Sequence, residues 1–188
     1  MDSIGNAADS LAASERRLGV QSDALTELTA RYTNPGEQFG DRLRSILEIA
    51  ARAIDVERLS MWEFDARHLL IRCVGLHLRN GNRYESGAVL PRIVAPVYFE
   101  AIERERVVAA NDAQTDPRTR EFRDSYLVPN NIGAMLDIPL QGNNQRLGVL
   151  CAEHIGGTRA WTVDEQNFAI SVGNLIVIAH GEEQRRTA

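Results

Sequence analysis

The period of the apolar residues changes twice along this chain, and those changes limit its fold more than any other feature. Phe39, Leu43, Ile46, Leu47, Ala50 and Ile54 recur at spacings of three and four, with Arg42, Arg44 and Glu48 elsewhere on the turn. That is the stripe of an amphipathic helix. The pattern then turns strand-like over 56–64 and 69–78, joined at Asp65-Ala66-Arg67. Strand patterning returns over 133–140 and 146–155, paired as a hairpin across Gly142-Asn143-Asn144. The helical period resumes after Thr162, where Glu165 completes a capping box ahead of Phe168, Val172, Leu175, Ile176 and Ala179. Between these lie a loop over 80–86, a short strand over 88–90, a helix over 94–104 and a strand over 107–110. A long loop follows, with a short helix at 121–127. This order predicts an α+β fold: a mostly antiparallel sheet with helices from both chain ends on one face. The middle helices and the long loop cover the other face, and a ligand has room between sheet and loop.

Ahead of this body, residues 10–32 are polar and helical, with Leu11, Leu18 and Leu25 seven apart and Leu28 at a following d position. That is a coiled-coil seam, weakened by Ser14 and Gln21 at the other d positions and by Gly19. A solvated surface helix accounts for it equally well. Asn34-Pro35-Gly36 ends the segment. The division expected is a signalling or linker helix over 1–34, a folded domain over 35–182 and the start of a further linker over 183–188.

Composition narrows the chemistry. All 21 basic residues are arginine, and there is no lysine. Schiff-base and pyridoxal-phosphate catalysis, the Walker phosphate loop and protein kinase chemistry each require one. The net charge of −5 argues against nucleic-acid binding. The longest apolar stretch, residues 168–179, is too short to cross a bilayer, and no secretory signal is expected at the N-terminus. Cys73 and Cys151 do not make a disulfide framework. The chain reads as cytoplasmic.

A string of segments carries a family resemblance: Pro96-Val97-Tyr98-Phe99, Ala109-Ala110-Asn111-Asp112, and Asp116-Pro117-Arg118-Thr119-Arg120-Glu121-Phe122. It continues through Gly133-Ala134-Met135-Leu136-Asp137-Ile138-Pro139-Leu140, Gly148-Val149-Leu150-Cys151-Ala152-Glu153-His154 and Arg159-Ala160-Trp161-Thr162. Together with the strand over 56–64, these resemble a GAF domain over residues 39–186. The likeness is to the modules that precede histidine kinase or diguanylate cyclase domains in bacterial sensors, including two-component systems. It implies a GAF-like or PAS-like sheet, a homodimer through the N- and C-terminal helices, and an output domain in cis lost after Ala188.

Strand alternation sorts the hairpin residues by face. Leu136, Ile138 and Leu150 are the greasier set and are expected on the terminal helices, leaving Met135, Asp137, Cys151 and Glu153 toward a ligand cavity. Similarity to phytochrome pockets supports the same face. Tyr98, Phe99, Asp112, Arg118 and Tyr126 are expected from the lid side, and Arg118 and Arg159 are placed near the lid as first candidates for an anionic ligand. Asp112 and Asp116 serve equally well as turn formers. A buried bridge from Arg118 to Asp137 or Glu153 is favoured over ligand binding by Arg118. Cys151, Glu153 and His154 invite a metal reading, but adjacent strand residues point to opposite faces, so no metal site is expected. The cofactor is left open.

The resemblance implies a sensory or regulatory module that binds a small ligand or mediates dimerisation, with no catalysis of its own. The alternatives are a redox enzyme acting on free methionine sulfoxide and a haem or bilin sensor. Neither cysteine falls where the reductases place theirs, and residues 81–131 hold no cysteine for bilin attachment. The Asn-Lys-Phe-Asp-Glu run of cyclic-nucleotide-binding relatives is absent too.

Overall fold

A computed structural model describes residues 3–32, 37–142 and 145–187. Two helices open the chain, α1 (Ser3–Tyr32) and α2 (Phe39–Ile54). Strands β1 (Arg58–Phe64), β2 (Leu70–Leu78), β3 (Arg83–Glu85) and β4 (Val89–Pro91) follow, and a 3₁₀ turn leads into α3 (Pro96–Arg104). After β5 (Val108–Ala110) comes a long lid with two short helical turns, Arg120–Phe122 and Arg123–Leu127. Strands β6 (Ile132–Gly142) and β7 (Gln145–Ile155) form the long hairpin, and α4 (Val163–Thr187) closes the chain.

The sheet runs β3-β2-β1-β7-β6-β5, with β4 also paired to β2, and every pairing is antiparallel. Helices α2 and α4, with α1 packed outside them, cover one face. There Leu43, Leu47, Ile54, Leu59, Met61, Leu136, Leu150, Phe168, Val172 and Ile176 form one core. A second core on the other face joins Tyr98, Phe99, Ile102, Phe122 and Leu127 to Trp62, Ile71, Cys73, Met135, Val149 and Cys151. The α+β sandwich and its lid are as the periodicity predicts.

Local signals explain the boundaries. Asp55 adopts a left-handed conformation (φ 60°) that ends α2, and the Val56 amide closes back on the Ala51 carbonyl. The capping box is present: the Thr162 amide donates to Glu165 at 2.8 Å and the Glu165 amide to Thr162 Oγ1 at 3.2 Å. Residues 80–86, expected to be a loop, instead contain β3. Gly81 and Asn82 have positive φ, the Asn82 amide bonds the Arg79 carbonyl, and β3 returns as a hairpin on β2. Tyr84 anchors it by lying over Gly75, where a Cβ would stand 1.9 Å from the phenol oxygen. The turn expected at Asn34-Pro35-Gly36 and the hairpin tip at Asn143 and Asn144 lie outside the described residues.

Helix α1 begins earlier than its leucine spacing suggested. Gln21, Ala24 and Leu28 are buried near its C-terminal end, while Leu11 and Leu18 are 63% and 46% exposed.

Candidate functional site

The face of β6 and β7 under the lid carries two polar clusters in an otherwise apolar layer. In the first, the Tyr98 phenol of α3 donates to Asp137 Oδ2 at 2.9 Å and lies 3.6 Å from Cys151 Sγ. Asp137 and Cys151 face one another in the β6–β7 register, and Asp137 is fully buried. Its Oδ1 has no hydrogen-bond partner. Burial drives the Asp137 pKa up to about 7, against the pull of the Tyr98 hydrogen bond. Burial likewise raises the Tyr98 phenol and the Cys151 thiol well above their ordinary values.

The second cluster is the ionic counterpart of the first. Arg58 Nε lies 2.6 Å from Glu153 Oε2, the Tyr126 phenol donates to Glu153 Oε1 at 2.8 Å, and Arg58 Nη2 donates to the Tyr126 oxygen at 3.1 Å. Arg58 and Glu153 are register partners on β1 and β7. Burial opposes the charge on Arg58, but the Glu153 carboxylate more than offsets this and the guanidinium pKa is raised. Arg58 was not among the predicted residues. The signal available was alternation, since Arg58, Ser60 and Trp62 share a face of β1 opposite the apolar pair Leu59 and Met61.

Met135, Asp137, Cys151 and Glu153 all lie on the lid face, and Leu136, Ile138 and Leu150 on the helix face, as alternation predicts. The expected open space between sheet and lid is instead filled by side chains. Tyr98 and Phe122 meet edge to face at 5.1 Å, Phe99 packs on Phe64 at 5.9 Å, and Phe99 and Leu127 have no exposed surface. Two arginines depart from expectation. Arg118 bridges neither Asp137 nor Glu153; it takes Asp116 and Glu105, both at 2.7 Å, and the Ala109 carbonyl at 3.0 Å. Those partners lie at the rim, so the guanidinium keeps contact with water and avoids most of the cost of burial. Arg159 does lie beside the start of the lid, its amide donating to the Asn111 carbonyl at 3.0 Å, but its side chain turns the other way. It donates at 2.6 Å to the Ile54 and Asp55 carbonyls, pairs with Glu165 at 2.7 Å and stacks over Trp161. The open carbonyls at the end of α2 and the adjacent carboxylate hold it there. Asp112 forms a turn, accepting from the Gln114 amide at 3.2 Å.

The lid is tied to α3 at both ends. Glu121 accepts from the Val97 and Tyr98 amides at the start of α3, and Arg118 reaches Glu105 just past its end. Tyr98 and Tyr126 then join this unit to the sheet. His154 pairs with Glu57 on the opposite face from Glu153, and the described residues contain no group of three His, Cys, Asp or Glu able to hold a metal ion.

A family model described as the GAF domain matches residues 39–180. The chain belongs to the GAF family. Solved structures agree on the fold at low identity. The phycocyanobilin-bound GAF domain from a cyanobacterial phytochrome superposes with a TM-score of 0.72 at 16% identity, covering 88% of this chain and 96% of that one. The GAF domain from an Acinetobacter phosphoenolpyruvate-protein phosphotransferase gives 0.69 at 17% identity, covering 88% and 95%. Free methionine-R-sulfoxide reductase from Neisseria meningitidis, in complex with its substrate, gives 0.67 at 11% identity, covering 90% and 93%. No curated protein matches the chain.

In this GAF domain the two cysteines stand apart. Cys73 on β2 pairs with Trp62 on β1, and Cys151 on β7 pairs with Ser60 on β1, so a whole strand separates them. Two interstrand spacings place them about 10 Å apart or more, beyond disulfide reach. Burial also raises the Cys73 pKa to about 11, which keeps that thiol protonated and weakly nucleophilic near neutral pH.

Proposed function

We propose that this GAF domain is a sensory or regulatory module of a bacterial signal-transduction protein and performs no catalysis itself. A small ligand or the dimer contact alters the packing of the terminal helices, and an output domain reads that change. One observation carries this reading: the same two strands hold buried polar groups on the lid face and the helix core on the other. Asp137, Cys151 and Glu153 alternate with Leu136, Ile138, Leu150 and Ala152, so a shift under the lid acts directly on α2 and α4. The second copy binds through α1 and α4, where Leu11, Leu18 and Ile178 are exposed. No described helix is long and apolar enough to cross a membrane, and the module works in the cytoplasm.

The redox reading is weaker because Cys73 and Cys151 lie across β1 from each other. A tetrapyrrole reading must open the filled layer around Tyr98, Phe99 and Phe122 and has no thiol on the lid to attach to.

Native mass spectrometry of protein purified from its own cells tests the proposal. A dimer is expected, and Leu11→Asp with Leu18→Asp should leave a monomer of unchanged helicity. A wild-type monomer at micromolar concentration overturns the helix-pairing part. Turnover of free methionine sulfoxide with a thiol reductant overturns the non-enzymatic part, and a coloured protein revives the tetrapyrrole reading.

A further inference from the structure

The two phenol–carboxylate bonds that fasten α3 and the lid to the sheet differ in one respect. Tyr126–Glu153 has a cation built in, with Arg58 at 2.6 Å from the carboxylate. Tyr98–Asp137 has none: among the described residues no cationic side chain bridges Asp137, whose Oδ1 is buried and without a partner. The groups that face Asp137 from the elements around it are Tyr98 on α3, Cys151 and Glu153 on β7, and Arg118 on the lid. Its register partner on β5 is the apolar Val108. Glu153 opposes a charge on Asp137, and Arg118 favours it from a distance while held by Asp116 and Glu105. A carboxylate in this position therefore rests on two neutral donors, the Tyr98 phenol and the Cys151 thiol, in surroundings that solvate charge poorly.

We propose that Asp137 is a proton-binding site that governs how tightly α3 and the lid are fastened to the sheet, so that the proton itself is an effector of this domain. With the proton on, the carboxyl is neutral and the Tyr98 bond closes a layer with no buried net charge. With the proton off, the charge at Asp137 is relieved by water, and α3 and the lid are the elements that must part to admit it. Because Glu121 and Arg118 tie the lid to α3, the two loosen as one body while Tyr126–Glu153–Arg58 acts as the remaining hinge. The burial that raises the Asp137 pKa to about 7 places this change near neutrality. The inference rests on the lid face being the sensing face, but its test needs no ligand and no output domain.

The experiment is infrared spectroscopy and amide hydrogen exchange on the full chain between about pH 6 and about pH 8. In the wild type a protonated-carboxyl band should disappear as pH rises. Protection factors over α3 and residues 120–127 should fall by about tenfold or more while those of β1 and β7 hold. Asp137→Asn keeps an acceptor for Tyr98 and should remove both the band and the pH dependence. Tyr98→Phe should show low protection at both pH values. If the wild type has no such band near pH 6, or Asp137→Asn retains it, the site is not the proton acceptor and the proposal fails. If the band titrates while protection over α3 and 120–127 stays constant, the fastening role fails. Neither result touches the dimer and turnover tests of the sensory reading.

Discussion

At the scale of single residues, Arg58 and Glu153 form a largely buried ion pair. Their side chains are 13% and 2% exposed and their charged atoms lie 2.6 Å apart. Removing one partner strands the other charge, which costs about 3–5 kcal/mol for buried pairs. Arg58→Met is therefore expected to lower unfolding stability by about 3 kcal/mol or more. The double variant Arg58→Met with Glu153→Leu should recover most of that loss. Denaturant titration of the single and double variants checks it, and equal losses in both would show that packing rather than charge dominates. The facing of Met135, Asp137, Cys151 and Glu153 was legible in the sequence, because a strand's side chains alternate whatever surrounds them. The partners of Arg118 and Arg159 were not. An arginine reaches several ångströms from its Cα, and its choice among carboxylates and carbonyls depends on which elements fold beside it.

At the scale of elements, the contact between β1 and β7 tolerates no side chain at one point. A Cβ on Gly148 would stand 1.8 Å from the Trp62 carbonyl oxygen, opposite Glu63 in the register. Gly148→Ala must push two central strands apart, in the middle of the sheet that separates both cores. Loss of soluble, cooperatively melting protein is expected, and a wild-type thermal transition in that variant would contradict the close approach. Thr162→Ala is a gentler perturbation. It removes one arm of the capping box at α4 and should cost about 1 kcal/mol, read as a lowered denaturant midpoint with an unchanged slope. Helices α2 and α4 and the long hairpin were readable because each combines a clear period with a turn or cap signal. Strand β3 was not, since three residues carry too little pattern and its anchor, Tyr84 on Gly75, is a contact between strands. The filled lid layer was equally hidden, because alternation tells which face a residue is on and not how closely its neighbours pack.

At the scale of the whole molecule, oppositely shifted groups shape the pH dependence of folding. Hydrogen bonds from Arg118 hold the Asp116 pKa below its ordinary value, and burial lowers that of His77. Both make the unfolded state the stronger proton binder, so their contribution is lost as the solution is acidified. His77 acts below its ordinary value near 6.5, and Asp116 below about 4. Asp137 works in the opposite sense. Its folded pKa, about 7, lies above that of an unfolded aspartate, so the folded state binds the extra proton and stability falls as pH rises from about 4 to about 7. Thermal melts across this range should show a maximum on the acid side of neutrality, and Asp137→Asn should flatten the alkaline limb alone. Persistence of that limb in the variant would assign it elsewhere.

The placement of the two thiols has a practical consequence. Both are buried, both have raised pKa values, and β1 keeps them from pairing. The folded chain should thus be nearly blind to maleimide and iodoacetamide reagents. A cysteine introduced at Asn174, exposed on α4, would then be the one position a spin label or fluorophore takes up. Movement of the terminal helix becomes measurable by distance between labels, without first stripping the native sulfur from beneath the lid.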